Sequence, residues 1–278
     1  MKTTRELLKG MIPQEGMYGK EGDYIGEDGL LYCGICHERK QYPLQFNDSV
    51  IPVRSLCRCE IQQRDEMEAE ERRKRKEAYI QRLRKQGIQD RGLLDNTFEH
   101  DDGSLPILRS ARRYVNTWPK RKANNDGLLL WGEVGKGKTF YAACIANALI
   151  DQGIPVMMTN FAKILNRLSG LYSNDKNEFI NELMSYDLLI IDDLGIERNT
   201  EFALEQIYTI IDERYKTKLP LIITTNLSLE TMKHPEDLAH YRIYDRIFSM
   251  CIPVRFLGTT HRKRESEIKM RSCRELFE

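Results

Sequence analysis

The sequence predicts an α/β fold: a three-layer domain built on a parallel sheet, preceded by a smaller cysteine-bearing segment. Three observations carry this expectation. From about Leu93 onward, short apolar runs alternate with helix-like segments, and continuous apolar strands separated by helices form a parallel sheet covered on both faces. A glycine-rich loop, "GEVGKGKT" at residues 132–139, falls between one such run and one such helix. Ahead of both stand two close pairs of cysteines, Cys33 with Cys36 and Cys57 with Cys59.

The composition frames the rest. Hydrophobic residues make up 41% of the 278 positions and charged residues 31%, with a net charge of +1. That is globular composition, and the bulk charge selects no partner. The opening "MKTTRELLKGMIP" holds no apolar run long enough for a signal peptide. No stretch approaches the roughly 18 apolar residues of a membrane span. The expectation is a cytoplasmic protein without a membrane partner, whose seven cysteines are thiols or metal ligands rather than disulfides.

Taken in order, residues 1–60 read as a small metal-stapled domain. The spacing Cys33-x2-Cys36-x20-Cys57-x-Cys59 is the layout of a tetrahedral zinc site, in which each pair grips one edge. Thiolates suit zinc's borderline softness. His37, beside Cys36, is an alternative fourth ligand. A redox reading of "CGIC" would need a βαβ setting, which "DGLLYCGICHERKQYPLQF" does not offer. About 60 residues bury too little core unaided, so the metal's role is expected to be structural. Cys144, Cys251 and Cys273 read as core or surface thiols.

Residues 61–92 are a charged linker. Glu, Arg, Lys and Ala dominate and favour helix, while Met67, Tyr79, Ile80 and Leu83 are too sparse for a core face. A solvated helix is expected, with a coiled coil or nucleic-acid arm as the alternative.

Residues 93–278 carry the sheet. Strands are expected at 127–132, 155–160, 186–193, 220–226 and 251–258. Helices are expected from Lys138, from Phe161, near 200–217 and around 237–249. The loop between the first strand and first helix matches G-x-x-x-x-G-K-[ST] in the strand–loop–helix context that the motif requires. Gly132, Gly135 and Gly137 permit turns that aim successive N–H groups at phosphate oxygens, and the helix N-terminus adds its positive dipole end. The candidate phosphate site is Gly132, Glu133, Val134, Gly135, Lys136, Gly137, Lys138 and Thr139, with Phe140 behind it. Lys138 would reach the β- and γ-phosphates and Thr139 would ligate Mg²⁺, while Lys136 reads as an exposed loop residue. In "LLIIDDLG" a buried strand ends on Asp192 and Asp193, at the sheet edge where such folds bind ligands. Asp192 is the expected Mg²⁺ partner through water, and Asp193 stands where a carboxylate polarises attacking water. Strand alternation would send the two to opposite faces. Asn226, ending "LIITTN", is a candidate for orienting that water, although strand-end asparagines are commonly turn chemistry.

Together these residues resemble the AAA+ ATPases over Leu93 to Arg264, more than half the chain. "TFEHDD", "LLIIDDLG", "TTN" and "RIYDRI" look like the DnaC/DnaI-type helicase loaders and their IstB-like relatives. The resemblance implies ATP as substrate, Asn226 as the sensor-1 residue, Arg246 as a finger completing a neighbour's site, Arg262 as a sensor-2 arginine, and Thr97 and Phe98 near the adenine. Only 16 residues follow Arg262, too few for a helical lid, and Asp193 stands where many AAA+ proteins have Glu, as in this group. It further implies an ATPase weak as a monomer and stimulated by self-association or single-stranded DNA. The zinc module would contact a hexameric replicative helicase. An IstB-like transposition helper and a non-hydrolysing nucleotide-gated adaptor are the alternatives. For DNA, "FAKILNRLSGLY" offers Phe161, Lys163, Arg167 and Tyr172. Lys163 and Arg167 share a helix face; the competing reading is a solvated face over a stripe of Ile164, Leu165 and Leu168. The tail, 255–278, holds seven Lys or Arg against four Glu and is either a basic flap or simply solvated.

Overall fold

The computed structural model describes residues 19–100, 106–195 and 200–257. The chain divides into two compact units between Arg75 and Lys76.

The first unit is small. Strand β1 (Tyr24–Ile25) pairs antiparallel with β2 (Leu31–Tyr32), and β3 (Gln41–Phe46) with β4 (Ser49–Arg54). The β3–β4 turn uses Asn47 at φ +53°, a left-handed conformation that Asn tolerates better than most residues. Helix α1 (Arg58–Gly87) starts four residues after β4. Apolar burial is slight, and Leu31, Cys33 and Cys57 supply most of it. Lys40 is completely buried and ion-paired with Asp23 and, at 2.9 Å, with Glu60. Burial pushes the Asp23 carboxyl up, but the Lys40 ammonium and the backbone N–H groups of Lys20 and Gly34 outweigh it and hold the pKa at about 2.

The second unit is a five-stranded parallel sheet, ordered β6-β7-β8-β5-β9. Its strands are β5 (Gly127–Trp131), β6 (Val156–Asn160), β7 (Leu188–Leu194), β8 (Leu221–Thr225) and β9 (Cys251–Arg255). All five expected strands are present, and the order places β5, which carries the phosphate loop, between β8 and β9. Helices α2 (Leu108–Asn116), α3 (Trp118–Asn124), α4 (Lys138–Asp151), α5 (Phe161–Ser169), α6 (Ser173–Met184), α7 (Glu201–Thr217), α8 (Leu229–Lys233) and α9 (Leu238–Met250) connect them.

Strand alternation sorts the apolar residues onto two faces. Leu128, Leu130, Ile190 and Ile222 pack with Leu108, Tyr141, Ile145 and Leu149 of α2 and α4. Leu129, Leu189, Ile191 and Ile223 pack with Phe161, Ile164, Leu168, Ile207 and Ile247 of α5, α7 and α9. The charged stretch is a helix, as its composition suggests, and most of its side chains are exposed. Its last turns differ from a solvated linker: Leu83, 6% exposed, and Ile88 just beyond belong to the core on the α4 side, and Ile88 bridges to Met158 of β6.

Arg214 of α7 is also fully buried. Its guanidinium donates to the backbone carbonyls of Tyr186, Asp187 and Pro220, at 2.8–3.2 Å. It thereby locks α7 to the segments that open β7 and β8. Among the described residues, no helix is long and apolar enough to cross a membrane.

Candidate functional site: a phosphate loop and its carboxylates

The loop after β5 depends on glycine at specific points. Gly132 takes φ +142°, and a Cβ there would lie 2.6 Å from the Phe256 carbonyl oxygen. Gly137, at φ +89°, directly precedes α4. An L side chain at either position would be strained. The Lys138 side chain, almost fully buried, donates from Nζ to Gly132 O and Glu133 O at 2.8 Å and to Asn226 Oδ1 at 2.7 Å. The lysine of the motif and the asparagine that follows β8 therefore meet, although 88 residues separate them.

At the second residue of α4, Thr139 Oγ1 donates to the Asp192 carboxylate, 3.0 Å from Oδ1 and 3.1 Å from Oδ2. Thr224, wholly buried on β8, completes this corner. Its hydroxyl donates to Asp192 Oδ1 at 2.6 Å and accepts from the Asp193 N–H at 2.9 Å. With the Asp193 N–H filling its acceptor side, the hydroxyl proton is committed to Asp192. Burial raises the Asp192 pKa; the Thr224 and Thr139 hydrogen bonds and the Lys138 charge pull it back, while the neighbouring Asp193 charge adds to the rise.

Simple alternation for the two aspartates is corrected here. The β7–β8 register shifts between Ile191 and Leu194, and Asp193 has φ +58°. A bulge of this kind re-aims the residue it carries, so the pleat does not decide the direction of Asp193. The expectation for Lys136 also changes: its side chain is 14% exposed and pairs with Glu133 at 3.3 Å. Glu133 and Val134 at the tip are the exposed residues of the loop.

Beside the loop lies a cleft of 320 Å³, lined by Trp131, Gly132, Glu133, Lys136, Asn226 and Arg255 among others. The Arg255 guanidinium stacks 5.1 Å from the Trp131 ring centre, which places a cation at the rim of the phosphate loop. Phe98 begins a single 3-10 turn (Phe98–His100). Its ring sits 4.6 Å below the Arg112 guanidinium and packs, like Phe140, on the α4 side of the core. Arg262 lies outside the described residues, as do Cys273 and the segment expected to lack a lid.

Residues 63–268 match the family model described as IstB-like ATP binding protein. The chain belongs to this family. Among curated relatives, it is 26% identical over 218 residues to the replicative helicase loader DnaI of Bacillus subtilis (strain 168), covering 73% of this chain and 67% of that protein. It is 29% identical over 149 residues to the replicative helicase loader DnaC of Escherichia coli (strain K12), covering 52% of this chain and 58% of that one. The chain thus spans somewhat over half of DnaC and about two thirds of DnaI. A crystal structure of DnaI superposes with a TM-score of 0.51 at 24% identity over 63% of this chain and 95% of that one, and so shares the fold. The AAA+ core of the DnaC/DnaI and IstB-like group, expected from the motifs, is borne out.

In this IstB-like chain Arg246 stands apart from the phosphate loop. It lies on α9, where its Nε–H donates to Asp212 Oδ1 of α7 at 3.0 Å and its guanidinium lies 4.7 Å from the Tyr215 ring centre. Lys163 of α5 and Arg167 line a shallow groove with Gln89, Thr159 and Phe179. Arg167 is also ion-paired to Glu182 and stacked on Phe179, while Ile164 and Leu168 are core. The Arg167 face is therefore partly occupied by its own fold. Tyr172 is the most exposed of the candidate stacking residues.

The family match begins at residue 63, after the four cysteines. Their sulfurs all lie within 4.8 Å of one another. A tetrahedron of Zn–S bonds near 2.3 Å needs sulfurs about 3.8 Å apart, so the set fits the ion. Cys33 and Cys36 flank a tight knuckle, in which the His37 N–H donates to Cys33 O and His37 takes φ +58°. Cys59 comes from the first turn of α1. The His37 ring instead faces the Tyr24 hydroxyl, with Nδ1 at 3.2 Å, and is not part of the cluster. A backbone hydrogen bond from Glu38 draws the Cys36 thiol down to about 6, while its proximity to Cys36 and burial push Cys59 up to about 12. Four thiolates this close repel one another, and a dication relieves that repulsion.

Proposed function

We propose that this protein is an ATP-dependent loader of a hexameric replicative DNA helicase onto single-stranded DNA, in bacterial or phage replication. The observation that carries the reading is the joining of Lys138 to Asn226 and of Thr139 to Asp192, a nucleotide site assembled from three strands, in a chain whose curated relatives are named replicative helicase loaders.

The roles follow from the motif positions and the resemblance. The backbone N–H groups of residues 132–139 and the α4 dipole hold the phosphates of ATP, and Lys138 neutralises charge at the β- and γ-positions. Thr139 and Asp192 would hold Mg²⁺, which when bound neutralises charge developing on the phosphate oxygens. Asp193 accepts the proton of the attacking water, and Asn226 orients that water. Arg246 acts on the nucleotide of a neighbouring subunit, so self-association completes the site. By the resemblance, Phe98 would lie near the adenine and Arg262 would serve as the sensor-2 arginine. In the division we propose, residues 1–60 form the zinc-stapled helicase-binding domain, 61–92 the charged helical linker and 93–278 the ATPase domain.

Turnover of wild type, Lys138→Ala and Arg246→Ala, with and without single-stranded DNA, tests the enzyme reading. Wild-type turnover is expected to exceed both variants by roughly 10³-fold or more, the lower bound for a finger. Equal and negligible rates in all three would leave the nucleotide-gated adaptor instead.

A further inference from the structure

We infer that Asp212 is the positioning residue for Arg246: its carboxylate, backed by Lys216 and Tyr215, sets the direction in which the arginine leaves α9 toward the neighbouring subunit. This rests on the reading of Arg246 as a finger supplied in trans.

The observations form a chain from the core outward. Arg214 ties α7 to three backbone carbonyls at the opening of β7 and β8, so α7 is fixed in rotation. On the same helix Asp212, Tyr215 and Lys216 are spaced i, i+3 and i+4 and share a face. Asp212 is only 13% exposed and uses both oxygens: Oδ1 receives the Arg246 Nε–H at 3.0 Å, and Oδ2 lies 2.9 Å from Lys216 Nζ. The Tyr215 ring lies 4.7 Å from the Arg246 guanidinium carbon and closes another side. Arg246 stays one-third exposed, and its other acidic neighbour, Asp245 on its own helix, is 3.9 Å from Nη1.

The chemistry explains why the contact is to Nε. A carboxylate that takes Nε–H holds the stem of the guanidinium and leaves terminal N–H donors on the fork for another acceptor. Lys216 satisfies the second carboxylate oxygen, so Asp212 is not drawn into a bidentate grip on Arg246 that would occupy more of the fork. A finger needs this arrangement: a fixed stem with donors to spare. Long side chains otherwise sample many rotamers, and that entropy weakens a contact across a subunit boundary.

Subunit mixing provides the test. Lys138→Ala subunits cannot use their own nucleotide site but still offer an intact arginine. Asp212→Ala subunits have an intact nucleotide site and a misdirected arginine. Alone, Asp212→Ala is expected to turn over at least about ten-fold slower than wild type, a fraction of the finger's full effect, with nucleotide affinity unchanged. Mixed with Lys138→Ala, the rate should rise above the sum of the two separate rates. Asp212→Asn, which keeps an oxygen acceptor for Nε–H, should fall between Ala and wild type. If Arg246→Ala is rescued by mixing but Asp212→Ala is slow and not rescued, Asp212 serves its own subunit and the inference is overturned. Wild-type turnover by Asp212→Ala would also overturn it. Failure of the Arg246→Ala mixture to recover would remove the trans finger itself, and this inference with it. Should Asp212→Ala not fold, Asp212→Ser, which also removes the carboxylate, is read in the same mixtures.

Discussion

Thr224 opens the "TTN" at the end of β8, where only Asn226 carries an expected role. Its hydroxyl touches both candidate carboxylate residues at once, donating to the Asp192 side chain and accepting from the Asp193 backbone. A hydrogen bond to a buried charged group contributes about 1.5–3 kcal/mol, and here it favours the ionised form of Asp192. The sign follows directly. Burial already raises the Asp192 pKa from its ordinary value. Removing the Thr224 donor raises it further, so a reaction that needs ionised Asp192 loses activity at a higher pH. Thr224→Val should therefore lower turnover by roughly ten-fold or more, on the same hydrogen-bond magnitude, and move the acid limb of the pH–rate profile upward, while Thr224→Ser keeps both near wild type. An acid limb that stays put in the valine variant would remove Thr224 from this role. Lys138 and Asn226 illustrate the opposite case, since a motif and a strand end named both residues and the fold then brought them to 2.7 Å.

At the scale of elements, α1 shows what composition can and cannot tell. Its charged middle is exposed, as helix formers with few apolar neighbours require. Its last turns bury Leu83 because β6 and α4 supply a surface that no reading of the helix alone contains. The first turn of the same helix brings Cys59 to the other three sulfurs, whereas His37 is turned toward Tyr24 by the knuckle's backbone. The assignment of ligands is therefore a testable matter of element geometry. His37→Ala should retain one zinc per chain, and Cys59→Ser should lose most of it, as measured by metal content after dialysis. Structural zinc contributes about 10–16 kcal/mol of apparent binding free energy, more than a unit with so small a core can replace. Zinc loss in the His37 variant with retention in the serine variant would reverse the assignment. The bulge in β7 belongs to this scale as well: the residue pattern of "LLIIDDLG" reads as an unbroken strand, and the left-handed Asp193 emerges only where β7 meets β8.

For the whole molecule, the two units divide the proposed work. The metal cluster lies in the first and the nucleotide site in the second. If the first unit selects the helicase, immobilised full-length protein should capture a hexameric replicative helicase in zinc and fail to do so after chelation, while nucleotide binding persists. Capture that survives complete zinc removal, confirmed by metal analysis, would place the contact elsewhere. The parallel sheet, the phosphate loop, the two aspartates and the four cysteines were all legible in the sequence. Each is written in local spacing: apolar runs of strand length, glycines where backbone must turn, and thiols three positions or two apart. The Thr224 bridge, the choice of Cys59 over His37, and the hold of Asp212 on Arg246 came only from the tertiary structure. Each joins residues 13 to 34 positions apart, and such meetings depend on strand order and helix rotation, which no local pattern encodes.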